Sequence, residues 1–166
     1  MTDCPQEHFP RAGFRRRFGS WVYDVLIAIA VYMVAGALFV GLFFIGFDLG
    51  IIPNEGFEHA SDLQQSSILY VTIVNGLGLA CVAYFFIFFW AKSGQTLGMK
   101  AWRLRLQNQD GTRINKVTGL KRLLPTLLGL GNLTVIFDRK NKLSLQDRIT
   151  DTEIVVLSLE ANKGRL

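Results

Sequence analysis

Histidine and cysteine are scarce in this chain, with two of each among 166 residues: His8, His59, Cys4 and Cys81. So few excludes a disulfide framework and supplies no Cys/His spacing for a metal centre, so no metal or cofactor is expected. Walker loops, a Gly-x-Ser-x-Gly elbow and a His-Glu-x-x-His helix are likewise missing. Gly94-Gln-Thr-Leu-Gly98 is glycine-rich, but no Lys-Ser/Thr follows it, which argues against a phosphate loop. An enzyme is not expected. Charge is missing too, from two long blocks: Asp24 is the lone charge between Gly19 and Phe47, and Ile68 to Ala91 contains no Asp, Glu, Lys or Arg.

Those two blocks are what the chain has in quantity. Half of all residues are hydrophobic, and they are gathered rather than spread at helical intervals. Gly19 to Phe47 would make about 42 Å of helix, and a bilayer core needs about 20 residues. The second block ends in Val82–Trp90, a run with six aromatic residues. Helices that apolar on every side would need a larger protein to bury them, and the remainder is too short and too charged. Although Arg15, Arg16 and Arg17 precede the first block, it is about twice the length of a signal-peptide core and lacks a small-residue cleavage site. It reads as an uncleaved first span.

Basic residues are retained on the cytoplasmic side of a membrane. Four precede the first span (Arg11, Arg15, Arg16, Arg17) and eight lie between Lys92 and Arg122, while Asp48–Ser67 has none. That loop carries Asp48, Glu55, Glu58 and Asp62, with Pro53, Asn54 and Gly56 as turn residues, and reads as a short acidic external connection. His8 and His59 would then lie on opposite sides. The N-terminus is expected in the cytoplasm, and the net charge of +5 gathers on the inner face, where anionic lipid headgroups attract it. Topology alone accounts for this basic face, so nucleic acid is not expected as a partner.

Beyond the second span, Trp102, Leu104 and Leu106 alternate with Arg103, Arg105 and Gln107, the pattern of a half-buried strand, and Asp110-Gly111 follows as a turn. Thr152–Leu159 is a second β-rich run, expected to pair with the first. Between them Leu123–Phe137 has no charge but includes Pro125, Gly129, Gly131 and Asn132. It is short for a span, and crossing would leave a basic cluster outside, so a re-entrant or interfacial helical segment is favoured over a full third span. The expected fold is an all-α membrane protein with two transmembrane helices, a re-entrant or third membrane helix, and a small cytoplasmic β-hairpin or sheet element. A basic N-terminus covers 1–18, the membrane domain 19–157 (spans near 19–46 and 68–91, third apolar segment near 120–137), and a tail 158–166.

Within the first span Arg17, Ser20, Asp24, Ala28, Val31 and Ala35 fall on one helical stripe. Asp24 would lie about 10 Å below the inner interface, where a carboxylate normally faces protein or water. Arg17, Tyr84, Arg122 and Asn132 are its candidate partners. It reads either as a cation- or proton-responsive group or as a polar clasp between helices. Asn75, Gly76 and Gly78 read as a helix-packing patch, and Ala37-x-x-x-Gly41 and Gly46-x-x-x-Gly50 as weak self-association motifs.

Three segments together resemble the RDD family of small bacterial membrane proteins: Arg16-Arg17-Phe-Gly-Ser-Trp-Val-Tyr-Asp24, Ser93-Gly-Gln-Thr-Leu-Gly-Met-Lys100 and Leu145-Gln-Asp-Arg-Ile-Thr-Asp-Thr152. The resemblance implies that Arg17, Asp24 and Asp147 are the signature Arg and two Asp. Gly19 and Ser20 stand where alanines are common in the family, and Gln146 where histidine is frequent. It also implies a bacterial cytoplasmic (inner) membrane location and an activity not established for the family, with ion or small-ligand transport proposed for members. Transport would use a path lined by Arg17, Ser20, Asp24, Asp147 and Arg148, and two spans would need a homo-oligomer to enclose it. The other reading is a non-enzymatic scaffold or assembly protein with a basic cytoplasmic face.

Overall fold

The computed structural model describes residues 9–127, 130–138 and 140–163. Cys4 and His8, and with them the cysteine and histidine expectations at the N-terminus, lie outside these. The chain is mostly helical. Helix α1 spans Phe14–Asp48 with 35 residues, and α3 spans Ile68–Ser93 with 26; both are long and apolar enough to cross a membrane. Only 6% of the most apolar window of α1 and 17% of that of α3 is buried in the protein, so their outer faces suit lipid rather than a protein core. Helix α1 begins several residues before the expected span because Arg15–Arg17 continue the helix; long basic side chains there can reach to the interface.

The described residues divide into two compact units, Ile27–Tyr84 and the rest. Within Ile27–Tyr84, the middle and end of α1 pack against the first part of α3. Gly78 makes room for the Tyr32 ring, which a β-carbon there would approach at 2.9 Å. The Tyr32 hydroxyl donates to Asn75 Oδ1, and Phe43 meets Tyr70 edge to face at 5.0 Å between centroids. Asn75 and Gly78 thus serve packing, as expected, whereas a β-carbon at Gly76 would meet nothing within 4 Å. The acidic connection holds a short helix, α2 (Ala60–Ser66), that composition did not announce; it forms around Leu63, which is fully buried.

In the other unit, α3 ends at Ser93 and the chain turns at Gly94 (φ +74°) into α4, Leu97–Ala101. Strand β1 (Leu104–Asn108) follows, and after helices α5 (Lys116–Leu127), α6 (Leu130–Phe137) and α7 (Leu145–Ile149) comes β2 (Thr152–Val156); α8 covers Leu159–Lys163. The strands pair antiparallel, with Leu104 opposite Val156 and Leu106 opposite Ile154. Alternation in β1 buries Leu104 and Leu106 on one face of the sheet, whereas Val155 lies opposite Arg105 on the other; these two leucines, Val155 and Leu157 are all at most 2% exposed. The free edge of β2 is covered by the chain's own N-terminal segment, where Ala12 donates to Ile154 O and Val156 donates to Pro10 O, both at 2.8 Å.

Helices α5 and α6 are bent by 77°. Eight residues of α6 give about 12 Å, far less than a bilayer core. Because β1 and β2 hydrogen-bond directly, whatever enters the membrane between them returns to the same side. By length and composition the bent pair is a broken span or a re-entrant segment, and the strand pairing favours the re-entrant arrangement.

Candidate functional site

The N-terminal end of α1 carries two separate polar clusters, both inside the unit that holds the sheet. The first is built on Asp147, whose carboxylate is fully buried. Ser144 caps α7: its hydroxyl accepts from Asp147 N at 3.3 Å, and Ser144 N donates back to Asp147 Oδ2 at 3.0 Å. This capping box fixes the aspartate's rotamer and aims it at two cations. Arg17 Nη1 donates to Oδ2 at 2.6 Å and Arg122 Nη2 to Oδ1 at 2.7 Å.

Arg17 spends its whole fork, since Nε donates to Ala12 O at 3.0 Å and Nη2 to Lys142 O at 2.9 Å. Arg122 Nη1 donates to the hydroxyls of Thr150 and Thr152. Among the described residues its Nε has no hydrogen-bond partner. Both arginines are at most 2% exposed, so two cations and one anion are held out of water. Burial pushes the Asp147 carboxyl up, but Arg17 and Arg122, helped by the Ser144 amide, outweigh it and hold it below the ordinary carboxylate range.

The second cluster is built on Asp24. Its carboxylate accepts from Thr96 Oγ1 at 2.6 Å and from Gly98 N at 3.0 Å. Thr96 is the N-cap of α4, and its hydroxyl also accepts from Met99 N at 3.1 Å. A hydroxyl is required, because it donates to the acid while accepting from the helix start. Gly98 is required as well: a β-carbon there would fall 2.5 Å from Ser20 O and 2.6 Å from Asp24 Oδ1. Ser20, 3% exposed, thus contributes its backbone to the seam between α1 and α4. Next to it Gly19 admits the Trp102 ring, and Trp21 Nε1 donates to Thr126 O at 3.0 Å.

Several expected placements change. Arg17 does not serve Asp24; it is committed to Asp147, as is Arg122, while Asn132 accepts from Gln146 Nε2 at 3.2 Å. Arg148 points outward, away from Asp147, and pairs with Asp138 at 2.7 Å with its side chain 57% exposed. Thr96, Gly98 and Ser144 were overlooked as partners, although two of them lie inside the Ser93–Lys100 segment, where a Thr followed by Leu-Gly is a helix-start signal. No grouping of three His, Cys, Asp or Glu side chains that could hold a metal occurs among the described residues.

Two helices long and apolar enough to span a membrane, a bent pair of shorter helices and a small sheet tied to the N-terminal end of the first helix by buried charge are consistent with a small membrane protein. The model of the RDD family matches residues 11–151, and the chain belongs to that family. No curated protein and no solved structure matches it.

Proposed function

We propose that this is a non-enzymatic scaffold or assembly protein of a cytoplasmic membrane, with its N-terminus and sheet on the inner side, where the signature charges latch a rigid interfacial module to the first span. One observation carries this reading: every nitrogen of the Arg17 guanidinium and both oxygens of Asp24 and of Asp147 already have partners within the chain. Groups so committed are poorly placed to bind and release a passing ion, and well placed to fix geometry. The basic surface that remains is then the docking face for anionic lipid headgroups or for acidic partners. The reading predicts that Asp24→Asn, which turns one acceptor into a donor facing Thr96 or Gly98, lowers the amount of folded protein in the membrane several-fold. Per-molecule cation flux in proteoliposomes would not change. Normal abundance with lost flux would sink it.

A second reading, ion or small-ligand transport through a homo-oligomer, is favoured by the oxygen-rich seam of the Ser20 carbonyl, Asp24 carboxylate and Thr96 hydroxyl. Such hard oxygen donors suit small cations. The same flux measurement decides between the two.

A further inference from the structure

Beside the buried cluster, a cavity of about 490 Å³ opens to the surface, lined by Phe14, Arg15, Arg16, Val135, Ile136 and Lys142. Its chemistry is divided. Arg15 and Lys142 are exposed and Arg16 half-buried. Among the described residues, no carboxylate lies within ion-pair distance of any of the three; the ion pairs there are Arg11–Glu153, Arg17–Asp147, Arg122–Asp147 and Arg148–Asp138. The first turn of α1 holds no acid either. The rest of the lining, Phe14, Val135 and Ile136, is apolar, and next to these in sequence or one helical turn on, Phe137 is 87% and Phe18 48% exposed.

We propose that this groove is a binding site for the headgroup and upper acyl chain of an anionic phospholipid. The phosphate meets Arg15, Arg16 and Lys142, and the chain lies along Phe14 and Ile136. Uncompensated cations on one wall call for an anion. The apolar wall distinguishes a lipid from free phosphate, which would have no use for it. Position agrees, because Arg15 and Arg16 stand where the long apolar run of α1 begins, the level at which headgroups lie. The groove also touches Lys142, whose carbonyl accepts from Arg17, so an occupied site would bear directly on the loop that closes the Asp147 cluster. The inference rests on the reading that α1 crosses the membrane.

The test uses the full chain purified in a neutral detergent. Binding of phosphatidylglycerol and phosphatidylcholine is titrated by native mass spectrometry, for wild type, for the triple variant R15Q/R16Q/K142Q and for a control, K116Q/K121Q, that removes basic charge elsewhere on the same unit. The expected result is tight phosphatidylglycerol binding, weakened about 150-fold in the triple variant and less than about 3-fold in the control, on the scale of three juxtamembrane charges. Equal loss in both variants means diffuse surface charge and overturns the site, as does equal affinity for phosphatidylcholine. Full displacement by millimolar inorganic phosphate means a free-phosphate site and overturns the lipid. An unchanged melting temperature in the triple variant is expected, and a variant that fails to fold is replaced by K142Q alone, expected to lose about 5-fold; no loss there would overturn the site. Carbonate extraction of wild-type membranes separates the underlying premise: release would reject the membrane reading, whereas retention without phosphatidylglycerol preference rejects the groove alone.

Discussion

The two units of this chain are held together by opposite means. In Ile27–Tyr84 the helices leave Met33 66% and Val34 71% exposed, and Tyr32 donates a hydrogen bond to Asn75 between them. In the unit with the sheet, the described ion pairs gather, and Arg17, Arg122 and Asp147 are almost wholly withdrawn from solvent. Apolar surface that faces lipid gains nothing by meeting another helix, so the first unit relies on close packing. Buried charge is different, because each member depends on the others and the loss of one strands the rest. The sheet-bearing unit should therefore tolerate substitution at its signature residues far less well than the span region tolerates substitution anywhere.

The sharpest way to break that contrast is Asp147→Asn. It leaves two buried guanidinium groups facing a neutral amide, and the expected cost is about 3–5 kcal/mol. Thermal unfolding in detergent should drop accordingly and membrane abundance should collapse. Acid titration sharpens the same point. With its carboxyl held below the ordinary value of 3.8, Asp147 contributes stability that is present at neutral pH and is lost as pH falls below that value toward its folded pKa. Wild type should lose this increment on acidification and Asp147→Asn should show a flatter profile; parallel curves would mean the pair contributes little.

Next in size is Gly98→Ala, where the added methyl meets Ser20 O and the Asp24 carboxylate and must force α4 off α1. About 1–3 kcal/mol is expected, read as a lowered melting temperature. The smallest effect should come from the span region. Tyr32→Phe removes its hydrogen bond to Asn75, and interhelical hydrogen bonds within membranes average about 0.6 kcal/mol. A melting shift there as large as that of Gly98→Ala would contradict the comparison.

Local signals in the sequence were sufficient for the elements. The spans were visible because apolar runs are contiguous, and both strands because Trp102–Gln107 alternates and Thr152–Leu159 is rich in β-branched residues. The short helix α2 was not, since a single buried Leu63 in a polar segment makes no period. Arg17, Asp24 and Asp147 could be singled out, but their partners could not. Arg17 and Asp147 are 130 residues apart, and Asp24 and Thr96 are 72 apart, so nothing in spacing tells a reader that the nearby Arg17–Asp24 pair is the wrong one. Arg148 was grouped with Asp147 because they are adjacent, yet neighbours on a short helix point in different directions, and Arg148 faces outward to Asp138.

The 130-residue separation of Arg17 from Asp147 also sets an order of events during biosynthesis. α1 is translated before its partner, and its arginine waits, solvated, while α3, α5, α6 and α7 are made. The clasp closes only once α7 has followed. A chain stalled before Asp147 would carry both long apolar helices but an unpaired Arg17 and a β1 edge without its partner strand.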